Sequence, residues 1–406
     1  MDSLSITIVT GRADFPMGGA SSSRIRLIAR GLVEAGAQVD VFLMGRNSVE
    51  SELQGSHQGV HFQYATDALP KAGSIMGRIR AELGLVERAR IASELVRRSR
   101  AGHLDAIILY TRDFITVWLF SLLARLMRIP SILELCEWPV AHPANNWLRR
   151  FQYTLFCRRA LSLVDGVLPI SRYLEDKVNV FGARYGKSIP VLRVPILVDV
   201  TEFQVSEIPP ESYVLYCGSW GYPDIIQTVL ESFRLVRSRG ADCGLVLVGL
   251  KESDSRMTGL RQWICELGLE QDVSIPGYVH WPRLKELYAN ATALLIPLPD
   301  TERSKSRFPT KTGEYLASGR PVITTAVGEM NHYLVDGQNA FVVDPDDIEA
   351  FAEKIGYIFF YPGEAQKVGM AGRKTAEEQF DYRIHGQRIL SFIQQVLDSR
   401  SNRRNE

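Results

Sequence analysis

Within Arg307 to Val322, RFPTKTGEYLASGRPV, a cation and a carboxylate fall on one short helix whose start suits an anion. Pro309 fits a first helical position, where its missing N–H costs nothing, and Gly319 followed by Pro321 stops the helix. This predicts a helix over Thr310 to Ser318. The free N–H groups at its head and the positive end of its dipole form a seat for a phosphate, about one to two turns from the carboxylate of Glu314. Lys311 stands at the helix start, where the dipole disfavours a cation and a bound phosphate would reverse the penalty. Phosphate held beside a carboxylate that accepts hydroxyl hydrogens is the chemistry of a nucleotide site. Arg303, Lys305 and Arg307 add charge ahead of the helix, with plain solvated cations as the alternative.

Positioning these groups takes a sheet. β-rich runs at Ile6 to Thr10, Val39 to Leu43, Ala106 to Tyr110, Ser131 to Leu135, Gly166 to Ile170 and Val191 to Val194 alternate with helical stretches. That alternation marks a parallel sheet covered by helices on both faces. It restarts after a polar stretch near Val200 to Ser212, with strands expected at Tyr213 to Cys217, Gly244 to Val248, Asp272 to Ile275, Ala293 to Pro297, Val322 to Thr325 and Ala340 to Val343. The expected fold is α/β, with two Rossmann-like domains in series and a ligand cleft facing their C-terminal strand ends. The boundaries are 1–198, 199–380 and 381–406. The last of these holds a helix over Tyr382 to Leu397, with Ile384, Ile389, Phe392, Ile393 and Val396 on a helical period. The tail SRSNRRNE is expected to be disordered.

Composition narrows the class. A chain of 406 residues with 46% hydrophobic and 23% charged residues suits two ordered domains. Its net charge of +1 conceals a division: residues 1–200 carry 25 Lys and Arg against 18 Asp and Glu, and the remainder is acidic by 6. The longest nearly apolar run, Phe114 to Ala124, is too short to span a bilayer. MDSLSITIVTG lacks the basic start of a secretory leader and reads as a strand entering a loop. Five cysteines form no CxxC pair and leave one over in any pairing, so reduced thiols of a cytosolic protein are expected.

RFPTKTGEYLASGRPVITTAVGE, followed by LVDGQNAFVVDPDD, resembles the nucleotide-sugar-binding region of glycosyltransferase family 4, the retaining transferases of the GT-B fold. The N-terminal FPMGGASSSRIRLIARGLVEAGAQVDVF matches that family's opening glycine-rich loop and helix, so the resemblance extends over most of the chain. It implies a last helix that crosses back to the first domain. It also implies that Glu314 grips ribose hydroxyls, while the family's glutamate eight residues upstream is replaced by Ser306. Thr312 and Gly313, with Arg307 and Lys311, join the donor-binding set. In YCGSWGYPD the family's two diphosphate-binding cations are replaced by Ser219 and Asp224, leaving Gly218 and Ser219 to approach the donor. The missing charge must come from the run Arg303 to Lys311 or from Lys251.

Other candidates carry two readings each. Gly18 and Gly19 allow backbone N–H groups to approach a phosphate or acceptor, or they simply make a strand-to-helix turn. Tyr278 and Val279 resemble the family's nucleobase loop, beside Trp281, which serves the base or a core equally well. In ILELCEWPVAH, Cys136 and Glu137 take the places of a His-Asp pair. Glu137, with Glu134 in support, positions the acceptor or is an ordinary ion-paired acid, and His142 is a further candidate for the histidine's role. Asp344, Asp346 and Asp347 read as a turn and helix cap rather than a metal cluster. The resemblance implies that no metal is needed, since helix dipole and basic side chains stabilise the departing diphosphate.

The expected activity is retaining transfer of a sugar from a nucleoside diphosphate to an acceptor hydroxyl in polysaccharide or glycolipid assembly, with no nucleic-acid partner. A GT-B sugar-nucleotide epimerase and an inactive GT-B binding subunit are the other readings. Residues 71–100 carry eight Lys and Arg against three acids, and Trp147 to Arg159 sets Arg149, Arg150, Arg158 and Arg159 among aromatic and aliphatic residues. These stretches predict attachment to the anionic cytoplasmic face of a membrane, where a lipid-linked acceptor would be met. Ordinary amphipathic helices with solvated charges are the alternative.

Overall fold

The computed structural model describes residues 3–46, 52–67, 84–139, 147–205, 210–218, 223–249 and 254–405. Two compact units emerge, the first formed by Met1–Leu197 with Tyr382–Glu406 and the second by Val198–Asp381.

The first unit is a seven-stranded sheet. Its strands are β1 (Ser5–Arg12), β2 (Gln38–Gly45), β3 (Gln54–His57), β4 (Val60–Tyr64), β5 (Ala106–Tyr110), β6 (Ser131–Leu135) and β7 (Gly166–Pro169), in the order β3-β4-β2-β1-β5-β6-β7. All neighbours pair in parallel except β3 with β4. AIILY is apolar throughout and SILEL is buried at every position because helices cover both faces of a parallel sheet. Those helices are α1 (Ala20–Glu34), α2 (Leu85–Arg100), α3 (Phe114–Leu126), α4 (Trp147–Arg159) and α5 (Arg172–Tyr185).

The second unit repeats the plan. Strands β8 (Tyr213–Cys217), β9 (Gly244–Val248), β10 (Val273–Gly277), β11 (Ala293–Ile296), β12 (Val322–Thr325) and β13 (Phe341–Val343) lie in the order β10-β9-β8-β11-β12-β13, all parallel. Helices α6 (Pro223–Ser238), α7 (Arg256–Glu266), α8 (Trp281–Asn290), α9 (Glu302–Ser306), α10 (Thr310–Ala317), α11 (Met330–Tyr333), α12 (Ile348–Phe360) and α13 (Pro362–Gln379) connect and follow the strands. With the β3 edge set aside, both sheets have the doubly wound order of a Rossmann fold.

The last helix, α14 (Tyr382–Asn405), belongs to the first unit and packs along α1. Ile389, Phe392, Ile393 and Val396 are buried there, each contributing about 1.5–3 kcal/mol. Ile384 is exposed. The helices touch through two glycines: a Cβ on Gly386 would stand 2.2 Å from the backbone of Gly31.

Four local expectations need correction. Val191 to Val194 is no strand. It runs beside β7 through one bridge, Val191 to Val167, and Pro190 and Pro195 flank it without N–H groups to extend a ladder. The β3–β4 hairpin adds two strands to the expected set: β3, QGSH, is polar throughout, whereas β4, VHFQY, alternates and buries Val60, Phe62 and Tyr64. Its turn, Gln58 and Gly59, has φ of 51° and 80°, as tight two-residue hairpins require. Pro309 caps α10 from outside, at ψ 126°, instead of opening it. Finally, α14 continues to Asn405, so most of the tail is helical rather than disordered.

Candidate active site

Strand order reverses between β1 and β5 in the first unit and between β8 and β11 in the second. Ligands of open parallel sheets bind outside the carboxyl ends at such points. In the second unit this place is occupied by a cluster drawn from β8, α8 and α10. Cys217 ends β8, and its N–H donates to the phenol oxygen of Tyr315 at 2.8 Å. Tyr315 meets Tyr288 of α8 edge-on, with ring centroids 5.0 Å apart. The Lys311 ammonium donates to Glu314 Oε2 at 2.8 Å and to Tyr288 Oη at 2.9 Å, while the Tyr288 hydroxyl reaches Glu314 Oε2 at 3.2 Å. Trp281 stands alongside, its ring centroid 5.9 Å from Lys311 Nζ. The indole N–H of Trp281 donates to Glu202 at 2.7 Å.

The helical spacing accounts for this. Lys311 and Glu314 lie three residues apart on one face of α10, whereas Thr312, Gly313, Tyr315 and Leu316 are buried on the other. The side chains of Lys311 and Glu314 remain 27% and 12% exposed, enough for a ligand to approach. Burial works against the charge on Lys311, but Glu314 and Cys217 together outweigh it and raise the pKa, so the ammonium persists at neutral pH. Burial, then Glu314, holds the Tyr288 phenol well above its ordinary range. Burial also raises the Cys217 thiol, with Lys311 opposing. At the far end of α10, Arg373 donates to the carbonyl of Ala317, meeting an otherwise open helix end.

The remaining donor-side candidates divide. A Cβ on Gly218 would lie 2.5 Å from Tyr216 Oη, so a side chain directly after β8 would press on that phenol. Thr312 points its hydroxyl at Met330 Sδ, 3.8 Å away, and its N–H donates to Pro309 O. Arg307 is half-buried, and Lys305 pairs with Asp300 at 2.6 Å. Ser306 is buried, its hydroxyl donating to Arg303 O. Tyr278 is exposed and Val279 half-buried just beyond β10. Asp224 is exposed in the first turn of α6. Ser219 and Lys251 lie outside the described residues.

In the first unit, Gly19 caps α1, and a Cβ on Gly18 would fall 2.4 Å from Asp14 O. Glu137 pairs with Arg112, and His142 lies outside the described residues. A buried polar network there centres on Glu134, which the sequence offered only in support of Glu137. Arg24 of α1 donates to Glu134 of β6 at 2.5 Å and to the carbonyls of Pro195 and Val194 at 2.7 and 2.9 Å. Both side chains are essentially inaccessible, so the pair braces the head of α1 against the end of β6. Cys136, one residue past β6, contacts Tyr110 Oη at 3.4 Å, and burial pushes its thiol up to about 12. A groove of about 590 Å³ at the starts of β1 and β2, lined in part by Asp40 and Arg98, lies away from these strand ends.

Among the described residues no group of His, Cys, Asp and Glu could hold a metal ion, and Asp347 caps α12 by accepting from Ala350 N–H at 2.8 Å. Nor is any helix among them long and apolar enough to cross a membrane.

Two Rossmann-like units whose last helix returns to the first define the GT-B architecture. Residues 19–191 match the family model "Glycosyl transferase 4-like domain" and residues 211–359 match "Glycosyl transferases group 1". The chain belongs to the family 4 type of GT-B glycosyltransferases. It is 23% identical over 237 residues to the capsular polysaccharide biosynthesis glycosyltransferase CapM of Staphylococcus aureus, covering 58% of this chain and 60% of that protein. A GDP-mannose-dependent phosphatidylinositol monomannoside mannosyltransferase of Mycolicibacterium smegmatis is 24% identical, over 58% of this chain and 64% of that protein. The matched regions thus span less than two thirds of either relative. Among solved structures, sucrose-phosphate synthase of Thermosynechococcus elongatus superposes with a TM-score of 0.73 at 18% identity, covering 97% and 99% of the two chains. Anabaena Alr3699/HepE in complex with UDP gives 0.64 at 15% identity, covering 98% and 99%.

Proposed function

We propose that this chain transfers a sugar from a nucleoside diphosphate to an acceptor hydroxyl, with retention at the anomeric carbon, in polysaccharide or glycolipid assembly. The observation that carries this reading is the Lys311–Glu314–Tyr288 cluster at the switch point of the second sheet. In the proposed complex Glu314 accepts from the ribose hydroxyls. The head of α10, Lys311 and Arg307 face the diphosphate, and Gly218 with Ser219 admits it closely. Tyr278 and Val279 meet the nucleobase. Positive charge preorganised around the phosphates stabilises the leaving group as the glycosidic bond breaks. The acceptor hydroxyl attacks from the face the phosphate leaves, and its proton passes to that phosphate, so no protein nucleophile or metal takes part. Glu137 and His142 belong to the acceptor side in this reading, and Gly18 and Gly19 to the donor-binding set.

The named activities of the two sequence relatives, and the UDP bound in the Anabaena neighbour, support a sugar-nucleotide donor. The acceptor is proposed to be lipid-linked and met at the cytoplasmic face of a membrane, to which the protein attaches peripherally. Purified protein incubated with UDP-, GDP- and dTDP-sugars, with and without polyprenyl-phosphate-linked and phosphatidylinositol acceptors, tests the proposal. Acceptor-dependent nucleotide release, with a product whose anomeric configuration by NMR equals the donor's, is expected. An inverted product would overturn retention, and tight binding without turnover on any acceptor would favour an inactive subunit.

A further inference from the structure

The outer faces of α3 and α4 carry large apolar side chains exposed at helical spacing. On α3, Trp118, Leu122 and Leu126 recur every four residues and are all exposed, Leu126 at 73%, while Val117, Phe120 and Ala124 are buried on the opposite side. Spacing of four keeps the exposed residues on one stripe of the helix. The neighbouring α4 exposes Trp147, at 78%, and Phe151 one turn later. A soluble helix usually turns such residues inward and its polar residues outward. Here the apolar residues face water on two adjacent helices.

The charge on the same helices has one sign. α3 and α4 contain five arginines, Arg125, Arg149, Arg150, Arg158 and Arg159, and no Asp or Glu. All five are exposed. Two such faces brought together in a dimer would oppose cation to cation, which disfavours self-association. An anionic bilayer meets both needs at once: its surface offsets the guanidinium charge, and tryptophan with leucine side chains settles at the level of the headgroups.

We infer that α3 and α4 together form the surface by which the first unit docks on an anionic phospholipid bilayer. The proposed attachment to a membrane gains a defined face from this, and α3 adds a part that carries no cluster of charge in the sequence. The inference rests on the glycosyl-transfer reading only for its purpose, to bring the protein to a lipid-linked acceptor. The surface itself can be tested without donor or acceptor.

Flotation of the full chain with vesicles of phosphatidylcholine alone, and of phosphatidylcholine mixed equally with phosphatidylglycerol, gives that test. Recovery is expected only with the anionic vesicles and should decline as salt is raised. Changing Arg149, Arg150, Arg158 and Arg159 together to Gln should weaken partitioning by about six-hundredfold, since each basic residue near such a surface contributes about fivefold. A second variant, Trp118→Ser with Leu126→Ser and Trp147→Ser, leaves every arginine in place. It should lose both flotation and the quenching of tryptophan fluorescence by brominated lipid. Unchanged circular dichroism and nucleotide affinity in both variants would show that the fold and the donor site persist. The inference is overturned by equal recovery on neutral vesicles, by no recovery on either kind, by full recovery of the serine variant, or by a concentration-dependent dimer that these substitutions abolish.

Discussion

The two units share one strand order but use charge differently at their switch points. In the second, Lys311 and Glu314 pair at 2.8 Å while remaining partly exposed, so a ligand can exchange for either bond. In the first, Arg24 and Glu134 pair at 2.5 Å with exposures of 2% and 0%, and the guanidinium also holds two backbone carbonyls. Charge within reach of solvent is available to a ligand, whereas charge sealed inside holds elements in place. A buried pair of this kind is costly to break, because the partner left behind has no water to turn to.

The largest expected effect follows from that cost. Glu134→Ala should destabilise the first unit by about 3–5 kcal/mol, and Glu134→Gln by less, because the amide oxygen can still accept from Arg24. Denaturant unfolding, followed by probes placed in each unit, checks this; a loss shared equally by both units would deny that the pair is a local brace. Gly386→Ala should follow at about 1–3 kcal/mol, since the added methyl meets Gly31 backbone that cannot swing aside. Thermal unfolding with and without this change measures it, and an unaltered midpoint would mean that α14 is not held tightly on α1.

Smaller effects sharpen the other side of the comparison. Lys311→Ala should weaken binding of a nucleoside diphosphate by about 1.5–3 kcal/mol and that of the free nucleoside by much less, because the proposed partner is phosphate. Equal losses for both ligands by calorimetry would make Lys311 a purely structural partner of Glu314. The smallest effect is chemical. With its pKa held near 12, Cys136 should stay unmodified by iodoacetamide at pH 8, while exposed Cys265 is alkylated first, as peptide mass spectrometry can follow. Rapid modification of Cys136 would show a more open strand end than the first unit presents.

The second unit was the more legible because its helix signals and its charged pair lie within a few residues of one another. Turn chemistry at Gly319 and Pro321 located α10 to within a residue, and the spacing of Lys311 and Glu314 placed both on one face. Tyr288 and Cys217 escaped notice. They join the cluster from 23 residues or more away, and Tyr288 sits in an apolar period that reads as core. Arg24 and Glu134 are separated by 110 residues, so neither carries a local sign of the other. Continuous apolar runs mark the strands buried on both faces, whereas β4 offers only the alternation of Val60, Phe62 and Tyr64 and β3 is polar throughout. Val191 to Val194 has the composition of a strand, but its flanking prolines restrict it to a single bridge.

Titration of nucleoside diphosphates and their sugars into the parent chain and into Glu314→Ala, by calorimetry, tests the central claim most directly. The account predicts that at least one of the UDP, GDP or dTDP series binds the parent. It also predicts that Glu314→Ala weakens that binding by about 1.5–3 kcal/mol with the fold unchanged, since a carboxylate gripping ribose hydroxyls makes charged hydrogen bonds. Unchanged affinity in the variant for every nucleotide that binds the parent would contradict it.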